Sequence, residues 1–171
     1  MKKLLFAVSA LAALSLLAPS FGSAQTVAAD DNQVGLFTDE TTIDSTLIIS
    51  GSVGSQTVYV VLWNPVNYDF EGAERDVVNV GGFECKVTNS GGDFLSDVAF
   101  PVVGINVGQG NDIIVGFGAP LPVEAGGYVT MATLTVLSLS TGPPGSDYFL
   151  GPVDVASIDG AIAYLDFDDP D

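Results

Sequence analysis

The stretch at residues 80–88, which reads Val-Gly-Gly-Phe-Glu-Cys-Lys-Val-Thr, decides the fold class. Apolar Phe83, Cys85 and Val87 alternate with polar residues, and a period of two places the two sets on opposite faces of an extended strand. The pattern predicts a strand whose Phe83 face is buried and whose Glu84 face lies in solvent. On that prediction, Glu84→Ala changes the free energy of unfolding little.

Short β-prone segments recur along the whole chain, with Gly- and Pro-rich turns between them and no convincing helix. Such spacing is typical of β-sandwiches and barrels. The predicted strands are 34–38, 45–50, 57–63, 80–88, 93–100, 113–117, 128–139, 147–150 and 161–165. The sequence therefore predicts a closed or two-sheet all-β domain of about nine strands.

The segment 65–79 breaks this pattern, because its acids and turn residues surround Tyr68 and Phe70 without a steady period. We predict a long surface loop here, and long loops in compact domains are often functional. The alternative is that the two aromatic side chains fold back over the end of the core.

The N-terminus has the organisation of a secretory signal peptide. Lys2 and Lys3 precede an apolar run at 4–17, and small residues follow up to Ala24. The run is shorter than the ~20 residues of a membrane span, which disfavours the alternative of an uncleaved anchor. We expect cleavage after Ala24, leaving residues 25–171 as one secreted domain, either extracellular or periplasmic.

The part of the chain after the leader is strongly acidic. Its only cations are Arg75 and Lys86, set against 21 acids, which gives a net charge of −19. Such a surface repels nucleic acid and anionic membranes, so neither is an expected partner. We expect Arg75 to pair locally with Glu71 or Glu74, and Lys86 to pair with an acid on a neighbouring strand.

The acidity has two interpretations, solvation in a salty habitat or carboxylates gathered around Ca²⁺. The candidate metal ligands are the closely spaced Asp166, Asp168 and Asp169. An EF-hand is excluded, because Pro170 stands where that loop needs its third oxygen ligand. The alternatives are a looser calcium site that includes an acid of 39–44, and a frayed tail.

Catalysis is not predicted. The chain has no histidine, so neither its single cysteine, Cys85, nor a serine has the usual activating base, and histidine-ligated zinc is excluded. A lone cysteine also forms no internal disulfide. The alternative is a small glycan-active hydrolase that uses two carboxylates of the 65–79 segment, which would have to lie ~5–9.5 Å apart in a cleft.

Three aromatic residues are the candidate ligand-binding residues: Trp63, Tyr68 and Phe70. Flat aromatic rings stack on sugars, and these three lie close together in the chain. The alternative for Trp63, which ends a predicted strand just before Asn-Pro, is a place at the edge of the core.

Three stretches resemble cohesin-like domains: Gly-Gly-Phe-Glu at 81–84, Ile-Ile-Val-Gly-Phe at 113–117 and Ala-Gly-Gly-Tyr-Val-Thr-Met-Ala-Thr-Leu-Thr-Val at 125–136. The resemblance covers roughly 57–139. Cohesin-like domains are jelly-roll β-sandwiches of secreted bacterial proteins, related in fold to some carbohydrate-binding modules. The resemblance implies a single jelly-roll-like β-sandwich.

We therefore expect a secreted, non-catalytic binding or structural module that mediates protein interaction at or outside the cell surface. The alternative is a calcium- or carbohydrate-binding module. The expected partner is another extracellular protein or a glycan, and no cofactor is expected other than Ca²⁺ under the second interpretation.

Overall fold

The computed structural model describes residues 31–38, 53–69, 71–91, 94–139, 147–158 and 160–169, and within these ranges the chain forms strands and no helix. The strands are β1 (Gln33–Phe37), β2 (Gly54–Trp63), β3 (Val66–Tyr68), β4 (Glu74–Asp76), β5 (Asn79–Asn89), β6 (Phe94–Ala99), β7 (Gly104–Asn106), β8 (Asp112–Pro122), β9 (Tyr128–Ser138), β10 (Tyr148–Gly151) and β11 (Ala163–Asp166). The predicted signal peptide and the predicted strand at 45–50 lie outside the described residues.

The strands form two antiparallel sheets and a small ribbon. The first sheet has the order β1-β2-β9-β6, and the second has the order β10-β5-β8-β7. β11 joins the second sheet on the same edge of β5 as β10, pairing with residues 80–84 while β10 pairs with 86–89. Among the described strands, β3 and β4 pair only with each other.

β5 contains the stretch that the alternating pattern singled out. Phe83, Cys85 and Val87 are buried, and they pack in one core with residues of the first sheet such as Val60 and Leu134. The rings of Phe83, Phe100 and Phe117 lie 6.1–6.4 Å apart within this core. Because both sheets contribute to one core, the structure is a β-sandwich. The prediction of an all-β fold is confirmed, while the jelly-roll winding stays a prediction.

A bulge in the first sheet changes which residues of β9 face the core. Val60 pairs with Ala132 but Val61 pairs with Thr130, so Met131 is an extra residue opposite β2. After the bulge, the even-numbered residues of β9, such as Leu134, face the core. Before the bulge, the odd-numbered Val129 faces the core. This explains why Met131 and Ala132, although adjacent, are both buried.

The prediction of an irregular loop over 65–79 is wrong, because β3 and β4 form a two-stranded ribbon there. Tyr68 pairs with Glu74, and the turn between them is held by a 2.8 Å bond from the Ala73 backbone N–H to the Asp69 side chain. Gly72 takes the positive φ of 81° that the turn requires. Each strand has only three residues, too few to show an alternation in the sequence.

The buried thiol of Cys85 gives a direct test of the core. We expect no reaction of Cys85 with a thiol reagent in the folded protein and full reaction in urea, since the side chain is enclosed in the core and the reacting species is the thiolate. Rapid labelling of the folded protein would contradict this assignment of the inward face.

The same thiol should make stability depend on alkaline pH. Burial, with a smaller contribution from Asp112, raises the pKa of Cys85 from 9.0 to about 12. The folded protein then holds a proton that the unfolded chain has lost, so the free energy of unfolding should fall as the pH rises from about 9 to about 12. Urea titrations across this range should show a smaller decline for Cys85→Ala than for the wild type.

Candidate functional site

Trp63 lies at the end of β2 on the outer face of the first sheet. It is buried there in a small cluster with Phe37 and Val61, and its ring centroid is 4.8 Å from that of Tyr128. Only 8% of Trp63 is exposed, so its ring is not available as a flat surface for a ligand. This is the core-edge position that the sequence left open as the alternative to a ligand platform.

Tyr68 lies in a different place, at the end of β3, and is 57% exposed. It opens onto a groove of about 440 Å³ between the ribbon and β11, which Asn67, Asp166 and Asp169 also line. The structure thus brings one of the three aromatic candidates together with two of the three acidic candidates. Phe70 lies outside the described residues.

The acidic tail is held against the rest of the protein from Asp166 to Asp169. Asp166 is buried and accepts hydrogen bonds from Arg75 Nη2 at 2.7 Å, Asn67 Nδ2 at 3.3 Å and the Asp168 backbone N–H at 3.0 Å. The same Arg75 nitrogen lies 2.9 Å from Asp169. The expectation of a frayed tail is wrong for these residues.

The two cations of the described chain are both paired. Lys86 contacts Asp112, its cross-strand neighbour on β8, as predicted, and it also contacts Asp154. The prediction for Arg75 is wrong, because its partners are acids more than ninety residues away instead of Glu71 or Glu74. The ribbon is the reason, since β4 places the Arg75 side chain over β11.

The three candidate metal ligands of the tail do not converge on one point. The Arg75 guanidinium contacts both Asp166 and Asp169, while Asp168 accepts a 2.9 Å bond from Asn79 Nδ2. Among the residues that the structure describes, no group of three acidic, histidine or cysteine side chains is placed to hold a metal ion. The acids of 39–44 lie outside the described residues, and a calcium site stays a prediction.

Tyr164 closes the inner wall of the groove. Its hydroxyl lies 2.6 Å from Asn32 Oδ1 and 2.7 Å from the Val66 carbonyl oxygen, and its single proton is donated to one of these acceptors at a time. Burial, assisted by the charge of Asp166, raises the pKa of Tyr164 to about 12. The phenol is therefore a hydrogen-bond donor at neutral pH, and it links β11 to β3 and to the residue preceding β1.

The prediction that Glu84 lies in solvent is wrong. Glu84 is only 6% exposed, and its two oxygens accept hydrogen bonds from the Ser157 backbone N–H and the Ser157 hydroxyl, both at 2.6 Å. The segment between β10 and β11 folds over the outer face of β5 and covers the carboxylate. A strand's own alternation shows which residues share a face, but it does not show what distant segment covers that face.

The Glu84–Ser157 contact predicts a stability effect for Glu84→Ala that is opposite to the one expected from the sequence. Glu84→Ala removes a buried, charged acceptor together with both of its hydrogen bonds to Ser157, so it should lower the free energy of unfolding by about 1–3 kcal/mol. Ser157→Ala should cost less, because the backbone bond survives. Urea unfolding of the two single variants and the double variant measures the coupling, and additive effects would contradict the contact.

A second surface lies on the outer face of the second sheet, and we call it the apolar trough. One wall is formed by Val103, Ile105 and Val107, which are 85%, 74% and 66% exposed, and the other by Ile158 and Leu165. Ile105, Gly116, Gly82 and Leu165 pair in one row across four strands, so the floor between the walls is glycine. Beside the second wall, Gly82, Gly116, Ile158 and Leu165 line a cavity of about 310 Å³.

The two floor glycines differ in what they do. A Cβ atom at Gly82 would lie 2.4 Å from the Val115 carbonyl oxygen, so packing of the sheet excludes any side chain there. A Cβ atom at Gly116 would meet nothing within 4 Å, and the backbone there is not in the left-handed region. Local packing therefore does not require a glycine at position 116. The absence of a side chain there leaves the floor of the trough open.

Sequence reasoning missed the trough. The signal that could have found it is the alternation of Val103, Ile105 and Val107 inside the uncharged stretch 98–111 of a highly acidic chain. Pro101 and the three glycines of that stretch suggest a turn, so the short strand β7 was not predicted.

Comparisons with protein-family models, with curated proteins and with solved structures find no match for this chain. The resemblance to cohesin-like domains therefore stays a prediction. In the part of the chain that the structure describes, no helix has the length and apolar character to cross a membrane.

Proposed function

We propose that this protein is a secreted, non-catalytic module that binds another extracellular protein through the apolar trough. The observation that carries the proposal is the exposure of Val103, Ile105 and Val107 side by side along one wall. Aliphatic side chains scattered singly over a surface need no explanation, but contiguous exposed groups commonly mark protein interfaces. A surface spread over four strands also suits a macromolecule better than a small molecule.

The charge of the chain defines the partner's chemistry. The net charge after the leader is −19, and both remaining cations are already neutralised by pairs of carboxylates. Such a field attracts cationic proteins, accelerates their encounter and repels a second copy of the same chain. We therefore propose a partner that presents apolar side chains to the trough and carries lysine and arginine around them.

The contacts of the buried acids support a non-catalytic role. Glu84 and Asp166, the two buried carboxylates in the described chain, are bonded to Ser157 and Arg75 respectively. The acids of the ribbon, by contrast, are exposed, including Glu74 and Asp76. A general acid in glycoside hydrolysis needs a carboxyl in an enclosed environment. Glu84 and Asp166 are engaged in hydrogen bonds, and Glu74 and Asp76, although they line a cavity of about 380 Å³, are exposed to solvent.

A lysine placed in the floor of the trough tests the proposal. Gly116→Lys fills open space without a steric conflict and adds a charge that repels a cationic partner. The matched control is Thr57→Lys, which adds the same charge at an exposed position on the first sheet. Wild-type protein is used to capture partners from the culture medium, and the dissociation constant of each purified partner is then measured against all three proteins.

We expect Gly116→Lys to weaken binding by about tenfold or more, and Thr57→Lys to change it by less than about twofold. Melting temperatures of both variants establish that the fold is retained. Equal affinities of wild type and Gly116→Lys, or equal losses in the two variants, would contradict binding at the trough.

The groove beside Tyr68 supports carbohydrate binding as a second candidate function. It pairs an exposed aromatic ring with amide and carboxylate groups from Asn67 and Asp169, and its volume is within the range of small-ligand sites. On this hypothesis, Tyr68→Ala abolishes retention on an immobilised glycan while Gly116→Lys leaves it unchanged. Loss of retention in Gly116→Lys alone would place the glycan in the trough instead.

A further inference from the structure

Among the strands that the structure describes, β7 is a terminal strand of the second sheet, and it lacks most of the features that protect such edges. Two other edges carry them: β6 has an exposed aspartate, Asp97, next to a register shift, and β11 has a register shift beside Asp166. The remaining edge strands, β1 and β10, have no register shift, but they contact each other. Charges and bulges of this kind hinder the pairing of an edge with another chain. β7 has neither, and the whole stretch 98–111 is uncharged.

The hydrogen-bond register shows which backbone groups of β7 face away from the sheet. The Val107 N–H bonds to the Ile114 carbonyl, and the Gly118 N–H bonds to the Val103 carbonyl, so the ladder with β8 runs from 103 to 107 through the odd-numbered residues. In an antiparallel pair the intervening residues direct their N–H and C=O groups to the opposite side. Gly104 and Asn106 therefore present their backbone groups to the free edge.

The side chains beside this edge are the first wall of the apolar trough. Val103, Ile105 and Val107 project from the outer face, so a strand added next to β7 would place alternate side chains directly beside them. Binding by strand addition uses main-chain bonds for affinity and alternate side chains for specificity. The edge and the wall thus form one continuous surface.

Two kinds of chain could add a strand beside β7, a second copy of this protein or a cationic segment of a partner, and their charges distinguish them. A second copy would bring its own charge of −19 against this one, whereas a cationic segment would be attracted. Acids stand at both ends of the uncharged stretch 98–111, Asp97 before it and Asp112 after it. A partner segment flanked by lysine or arginine matches this arrangement.

We propose that the partner contributes an extended segment, with alternating aliphatic residues and cationic flanks, that pairs with the backbone of Gly104 and Asn106 as a new edge strand beside β7. This inference rests on the proposed function and names the chemistry of the partner. The added strand covers the wall of Val103, Ile105 and Val107.

A synthetic peptide of the sequence KKTVTVTVKK is the probe, and its counterpart EETVTVTVEE is the control for charge. Affinity is measured by fluorescence anisotropy, and amide hydrogen exchange of Gly104 and Asn106 is measured by NMR in the full mature chain. Ile105→Lys tests the wall, and Val155→Lys is its matched control, because Val155 is 87% exposed but lies in the segment between β10 and β11.

We expect the lysine peptide to bind and to slow exchange at both amides by about tenfold or more, since new hydrogen bonds protect them. Ile105→Lys should weaken binding by about tenfold or more, and Val155→Lys should leave it within about twofold. The glutamate peptide should not bind.

Three results would overturn the inference. They are no binding of the lysine peptide at about 1 mM, binding without slower exchange at Gly104 and Asn106, and equal binding of the glutamate peptide. A chain that instead dimerises through β7 in ~1 M salt, where charges are screened, would replace the cationic segment with a second copy. If any of these occurs while Gly116→Lys still weakens partner binding, the trough remains the binding site and only strand addition is excluded.

Discussion

β5 is the strand on which the rest of the fold depends. It pairs with β8 along one edge and with both β10 and β11 along the other, so four of the five strands of the second sheet are joined through it. Its inward residues, with Cys85 at the centre, pack against the first sheet, and its outward Glu84 is covered by the segment that Ser157 anchors. Burial on both faces fixes the register of β5, because a shift by one residue would turn Glu84 into the core and the apolar residues out of it. The floor and walls of the apolar trough take their positions from this register.

The acidic composition is compatible with this fold because the few cations are used at structural junctions. Arg75 joins the ribbon to the end of β11, and Lys86 joins β5 to β8 and to the segment before β11. Exposed pairs are each worth less than ~1 kcal/mol, but Asp166 is buried and has three hydrogen-bond donors around it. Most of the other acids in the described ranges are exposed, and their mutual repulsion disfavours association of two copies of the chain. An aliphatic wall with a free strand edge can then face solvent without self-association.

The alternation of Phe83, Cys85 and Val87 was sufficient to predict β5, because alternate residues of a strand share a face, and the recurrence of β-prone segments between Gly- and Pro-rich turns predicted the all-β class. What the sequence could not show depends on contacts between distant residues. From the sequence alone, Glu84 was predicted to lie in solvent, but in the structure Ser157 covers it. Arg75 was predicted to pair locally with an acid such as Glu74, but the ribbon places its side chain beside Asp166. The candidate site was predicted only in part. Tyr68, Asp166 and Asp169 were singled out and do line one groove, whereas the apolar trough arises from β7, a strand too short to recognise beside its glycines.

The central claim is that Gly116 keeps the trough open for a partner and is not needed by the fold. The most direct measurement is the free energy of unfolding of Gly116→Val, with Gly82→Val as the reference, by urea titration of residues 25–171. A β-branched residue suits a strand where space is free, so we predict that Gly116→Val is as stable as the wild type or up to about 1 kcal/mol more stable, while Gly82→Val fails to fold or loses several kcal/mol. A loss of more than about 1 kcal/mol in Gly116→Val would show that the fold itself requires this glycine, and would contradict the account.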